Sequence, residues 1–195
     1  DAEARLVPGL LDGPVQQRLV VDDASRFDVS ISSYDVGLAG DLAISSSSAE
    51  PFISRNGTIN FNGNSDQNLS SSQDIGFYNL NLNKPSGNVI VDASPATGIS
   101  VSGTLGLLEG GLDLNGSDLS IKNSSESAIY RANGFIKSES SATPYSKLIW
   151  EIGPGAGTYI FPMGKSDAPD DFLPFTFSSL VKPLFKHKES ISGIS

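Results

Sequence analysis

The chain has 195 residues, a formal net charge of −9 and no cysteine. That length buries a core in one domain, or in one elongated domain with a small appendage, and the absence of thiols excludes a disulfide framework and thiolate metal sites. Charge is uneven, with 6 Lys/Arg against 16 Asp/Glu in residues 1–128 and 7 against 6 in residues 129–195, so the main body has no basic stripe for nucleic acid or anionic lipid.

Serine and threonine occupy 38 positions, asparagine 12, and 18% of residues are charged, a composition of turn-rich extracellular β proteins. No apolar run approaches the roughly 20 residues of a membrane-spanning helix. The start DAEARLVPGL lacks the basic and apolar regions of a signal peptide, so an exported chain is expected to be a processed form or an excised piece.

In chain order, the recurring signal is a pair of apolar residues separated by one position, the footprint of a short strand with one buried face. The pairs are Leu19/Val21, Phe27/Val29, Tyr34/Val36, Leu42/Ile44, Ile59/Phe61, Ile75/Phe77, Leu80/Leu82, Val89/Val91 and Ile99/Val101. Between them lie SSSSAEP (45–51), read as an exposed loop, and the turn formers NGNS (62–65) and KPSGN (84–88), whose Asn and Gly residues suit tight corners. The starts at 59, 80 and 99 are 21 and 19 residues apart, which indicates coils with variable turns.

The stretch VSGTLGLLEGGLDLNGSDLSIKN (101–123) repeats the footprint every seven residues, at Leu105/Leu107, Leu112/Leu114 and Leu119/Ile121. Its five glycines argue against a helix, at roughly 1 kcal/mol each relative to alanine, and mark corners. Three seven-residue units of about 21 residues make one circuit of a three-sided coil. The expected fold is all-β, a right-handed parallel β-solenoid over residues 1–128 with four to five coils; an antiparallel meander or β-sandwich is the competing arrangement, because Asn-Gly also closes hairpins.

After residue 128 the character changes. KLIWEI (147–152), the glycine-rich loop GPGAG and TYIF read as a β-hairpin, and Pro162, Pro169 and Pro174 stop or confine further pairing. Residues 129–177 are expected to be a hairpin cap over the open end of the coil, or the start of a second β domain. Residues 178–195 form a tail whose basic cluster, Lys182, Lys186, His187 and Lys188, reads as a solvated terminus.

The ordered phrases NGTINFNGNSDQNLSSSQDIGFYNLNLNKPSGNVIVDA, VSGTLGLLEGGLDLNGSDLSI, NGFIKSES, KLIWEIG, GTYIFPMG and FLPFTF resemble the repeat-bearing secreted and cell-surface proteins of Bacteroidota. The resemblance spans roughly residues 27–177 and rests on Phe61 and Gly63, Gln67 and Leu69, Phe77 through Leu82, Leu105 through Gly116, and Tyr159 through Gly164. It implies export, commonly by the type IX route, and display within a large adhesin-like or gliding-associated protein. Such proteins usually carry a C-terminal sorting domain, which the ending SSLVKPLFKHKESISGIS does not resemble, so the chain is expected to be a fragment or a diverged member. The matching words are structural repeat positions and name no catalytic residue.

Residue chemistry points the same way. Asp92, Asp113 and Asp118 could stack as the paired carboxylates of a glycosidase or lyase, but each sits beside a turn where aspartate caps backbone. His187 has no G-x-S-x-G partner motif. The acidic loop Asp167, Asp170 and Asp171 offers hard oxygens for calcium yet lacks a glycine-centred loop pattern and reads as a surface loop. GPGAGT (153–158) lacks the G-K-[S/T] ending of a phosphate loop. The sequons at Asn56, Asn68, Asn115 and Asn123 are close to chance frequency for this composition. Trp150 reads as a hairpin core anchor, with a sugar-stacking platform as the alternative, and six threonines are too few for a ranked ice-binding face.

The reading is therefore a non-enzymatic extracellular structural or adhesive module with no catalytic, cofactor or metal residue assigned. Its expected partners are a surface glycan or protein, within a larger polypeptide or assembly and without nucleic acid or a membrane span. Carbohydrate binding, or polysaccharide processing by acids along one face of a surface β-helix, is the alternative.

Overall fold

A computed structural model describes residues 5–8, 17–29, 32–92, 98–138, 145–165 and 171–180, with the backbone alone for 5–8 and Gln17. The described chain is built from strands and one short 3-10 turn at Glu126–Ala128. The strands wind as a parallel β-solenoid of about five turns with three walls.

The first wall stacks β4 (Val36–Leu38), β7 (Thr58–Phe61), the start of β10 (Asn79–Asp92), the start of β12 (Leu105–Asp113) and β14 (Ile129–Arg131), all parallel. The second stacks β2 (Gln17–Val21), β5 (Leu42–Ile44), β8 (Gln67–Ser71), the ends of β10 and β12, and β15 (Phe135–Lys137). On the third wall β3 (Phe27–Asp28) pairs with β6 (Phe52–Ile53), and β9 (Ile75–Phe77), β11 (Ile99–Val101), β13 (Leu119–Ile121) and β16 (Leu148–Trp150) form a separate parallel ladder. β1 (Arg5–Pro8) lies antiparallel on β2. Parallel pairing throughout the three walls rules out the meander and the sandwich, both of which need antiparallel neighbours.

Register explains the paired apolar positions. Leu80 sits between Ile59 and Leu105, and Leu82 between Phe61 and Leu107, so like side chains stack from coil to coil into one core. Leu105, Leu107, Leu112, Leu114, Leu119 and Ile121 are all 0% exposed, each worth about 1.5–3 kcal/mol of burial. The three pairs of the 101–123 stretch do occupy the three walls of one circuit. Tyr34 departs from the pattern and is 64% exposed.

Three expectations need correction. On the second wall the coils advance by 23, 27, 22, 23 and 24 residues, more than the about 21 of three seven-residue units, although Ile59 and Leu80 on the first wall do align 21 residues apart. Parallel stacking also continues past residue 128, through β14, β15 and β16, so 129–150 completes the last coil instead of opening a cap. Finally, KLIWEI does not pair with TYIF: β16 adds in parallel to β13, and β17 (Gly157–Phe161) pairs antiparallel with β18 (Phe175–Ser179). The alternation of Leu148, Trp150 and Ile152 fits either neighbour, and the open edge of β13 supplies a parallel one.

The glycines divide into two kinds. Gly87 and Gly110 stack at one corner with φ of 73° and 78°, and Asn115–Gly116 turns with φ of 44° and 95°, a backbone that favours Gly and Asn. Gly63 instead serves close approach, since a Cβ there would lie 2.3 Å from the Ala39 backbone oxygen of the coil below. Gly63→Ala is expected to cost about 1–3 kcal/mol through overpacking, read as a lower urea midpoint. Gly106→Ala meets only the movable ends of Asn81 and Tyr130 and should cost less; equal midpoints for the two variants would refute the distinction.

Candidate functional site

The polar residues at the corners perform one recurring task. A carboxylate or amide of one coil accepts the backbone N–H that begins a strand of the next. Thr58 N donates to Asp35 Oδ1 at 2.7 Å, Asn68 N to Asp41 Oδ1 at 2.7 Å, Asn88 N to Asp66 Oδ1 at 2.8 Å and Gly98 N to Asp74 Oδ1 at 2.8 Å. Higher in the stack, Thr104 N donates to Asn79 Oδ1, Gly111 N to Asn88 Oδ1 and Lys147 N to Asp118 Oδ1, at 2.9–3.0 Å. Five aspartates and two asparagines thus serve as joints between coils. Asp41→Ala should cost about 1–2 kcal/mol, the loss of a charge-assisted bond to backbone, while Asp41→Asn retains most of the stability; thermal denaturation of both variants checks this.

Of the aspartates weighed for catalysis, Asp118 falls into this scheme. Asp118 takes its bond from the next coil and not from its own turn, and also faces Lys147 Nζ at 3.6 Å. Asp113 caps its own turn through Asn115 N at 3.1 Å and pairs with Lys137 Nζ at 2.6 Å. Asp92 lies across the ladder from Ser70. Among the described residues no group of three or more His, Cys, Asp or Glu side chains is arranged to hold a metal ion. Asp171 is described, its backbone oxygen accepting from Lys165 N, whereas Asp167, Asp170 and the basic tail with Lys182, Lys186, His187 and Lys188 lie outside the described residues.

Two of the sequon asparagines are structurally engaged. Asn115 Nδ2 donates to Val91 O and Asn123 Nδ2 to Gly103 O, while Asn56 and Asn68 are exposed. The serine run is also more than an exposed loop: Ser46 is buried, its hydroxyl donating to Ser25 O at 2.6 Å, and Gln73 Nε2 donates to Ser46 O and Ser48 O.

One buried polar corner was not legible in the turn KPSGN. Lys84 is 1% exposed, and its Nζ donates to Gly63 O at 3.1 Å, Ser65 O at 2.8 Å and Gln67 Oε1 at 2.7 Å. Gln67, 0% exposed, continues the network: Gly63 N donates to its Oε1, and its Nε2 donates to Leu38 O and Gly40 O. Burial pushes the Lys84 amine down to about 8, with Asp66 and then Asp41 pulling it back up. Three coils meet at this clamp, which accounts for Gly63 and Gln67 in the repeat phrase.

The third wall has a groove where its ladder is interrupted between β6 and β9, lined by Glu50, Phe52, Ser54, Arg55, Gln73 and Asp74. The Ser54 hydroxyl bridges the gap, donating to Gly76 O and accepting from Tyr78 N. Arg55 is held by Asp28 at 2.6 Å, and Asp74 and Gln73 make the inter-coil bonds above, so most of the charge lining the groove is committed to the scaffold.

At the C-terminal end, Trp150 is 7% exposed, donates from Nε1 to Asn123 O at 2.9 Å, and packs edge-on against Tyr159 and Phe161 with centroids 5.1 and 5.4 Å away. It anchors a core, though as the joint between the last coil and the β17–β18 hairpin. A ring enclosed this way has no face left for a sugar. Thr158 N donates to Glu126 Oε2, Tyr159 Oη to Ser124 O, and the Arg131 guanidinium lies 3.7 Å over the Phe172 ring. Residues 153–156 connect β16 to β17 with no following helix, which leaves the phosphate-loop reading without its anion-binding terminus.

These features define a β-solenoid repeat protein with a hairpin over its last coil. Comparison with protein families, curated proteins and solved structures finds no match to the chain.

Proposed function

We propose that the chain is a non-enzymatic structural or adhesive module of a bacterial surface protein, a short rigid spacer that displays what adjoins it. The observation that carries this reading is the inter-coil ladder of corner carboxylates and amides, from Asp35 to Asp118, in which five aspartates and two asparagines hold coils together. At about 4.8 Å per coil, five turns extend about 24 Å. The likeness of its ordered phrases to Bacteroidota surface proteins supports extracellular display and type IX export.

The reading is tested with the purified chain and with cells of its source. Antibody against the chain should label intact cells, and incubation with a panel of polysaccharides should release no new reducing ends or unsaturated products. Labelling only after lysis would overturn surface display. Turnover lost in Asp113→Asn would overturn the non-enzymatic assignment, and glycan-array binding without turnover would redirect the adhesive role to carbohydrate recognition.

A further inference from the structure

The hairpin over the last coil is an unfinished sheet. β17 and β18 form a two-stranded ladder, and a two-stranded hairpin is marginal alone in water, where three or more strands with an apolar face are stable. An aromatic file runs outward from the core: Trp150, 7% exposed, touches Phe161, which touches Phe175 at 5.7 Å, and Phe175 is 59% exposed. Phe177, opposite Tyr159 on the same face, is 42% exposed. Residues 172–180 include no Lys, Arg, Asp or Glu, although the chain carries −9 overall and edge strands are normally protected by charge.

The direction of the free edge follows from the pairing. Thr158 N donates to Glu126, so Thr158 and its partner Ser178 form a non-hydrogen-bonded pair, and the backbone groups of Thr176 and Ser178 point away from β17. Among the described residues no backbone bond reaches that edge.

We propose that β18 pairs antiparallel with β18 of a second copy of this chain, in two-fold register about Phe177, giving a four-stranded sheet β17–β18–β18–β17. This register is self-complementary. Thr176 of each copy meets Ser178 of the other as a hydrogen-bonded pair, satisfying the outward groups. The two Phe177 residues meet as a non-hydrogen-bonded pair, where side chains are closest. Tyr159, Phe177, Phe177 and Tyr159 then form one row across four strands, and an isologous contact of this kind closes at two copies. The partly exposed Phe175 and Phe177, on one face of the joined sheet, bury on the order of a few hundred Å² per copy at aromatic side-chain sizes, less than a standard specific interface. The dimer is therefore expected to be reversible in the micromolar range, and it stands whether or not the surface-module reading holds.

The test is sedimentation equilibrium of the full chain from about 1 to about 300 μM, with Thr176→Pro alongside wild type. Proline removes an outward N–H and leaves the β17 ladder untouched, so Trp150 fluorescence should match wild type and report an intact hairpin. Expected is a concentration-dependent doubling of the 20.4 kDa mass in wild type, with at least tenfold weaker association in Thr176→Pro. Should the proline loosen the hairpin, Phe177→Lys supplies the same comparison without a backbone change. A wild type that stays monomeric throughout, forms open-ended oligomers, or dimerises as tightly with these substitutions overturns the proposal.

Discussion

Trp150→Ala should lower the stability of the C-terminal end by about 3–5 kcal/mol, the range for emptying a buried aromatic site, and leave the earlier coils folded. The indole fills the junction between β13, β16 and β17, and its Nε1 bond to Asn123 O ties the last coil to the previous corner. Removing it withdraws the ring on which Tyr159 and Phe161 rest, so β17 and β18 lose their support together. Each coil of a solenoid depends mainly on its neighbours, which confines the damage. Limited proteolysis should cut within residues 153–156 much faster than in wild type, while far-UV circular dichroism keeps most of its β signal. Uniform loss of all coils, or an unchanged cleavage rate, would contradict this account of the junction.

Lys84→Met should destabilise the middle of the stack. Methionine fills a similar volume but leaves Gly63 O and Ser65 O without the ammonium and Gln67 Oε1 with its bond from Gly63 N alone, at about 1–3 kcal/mol for each buried acceptor left unsatisfied. Relief from burying a charge offsets part of this, so a net loss of about 2 kcal/mol is expected at pH 7. The pH dependence separates the two contributions. The folded amine titrates near 8, below its ordinary 10.5, so between these values the unfolded chain holds a proton that the folded chain has released. Stability attributable to Lys84 therefore rises from pH 8 to pH 10.5, and the gap between wild type and Lys84→Met should widen over that window. Urea midpoints of both proteins at pH 7 and pH 10 measure it, and a narrowing gap would refute the buried-amine assignment.

Parts of this architecture are visible in the residues themselves. The Leu/Ile/Val/Phe pairs at i and i+2 mark strand and face, and EGG and NGS mark corners, because alternation and turn chemistry are local properties of the backbone. KLIWEI shows the limit of that locality. Its alternation specifies a strand with one buried face but not the neighbour, and the neighbour is β13 from the previous coil. Gly63 looks like any turn glycine until the Ala39 oxygen is placed against it, and Gln67 and Lys84 look like surface polar residues until three coils bring their partners together.

The sequence by itself determined that the chain is all-β and named most of the apolar pairs that enter the core, with Tyr34 the exception. It favoured a three-sided coil but left a β-sandwich open, since alternation does not say whether a neighbour is parallel. Only the tertiary structure decided where the coils end, that the corner acids bond to the coil above, and that a lysine is buried. Those outcomes depend on register between residues 17–30 positions apart, and with coil-to-coil spacings that vary from 20 to 29 residues spacing does not specify register. It is set when the stacked side chains and corner hydrogen bonds form together.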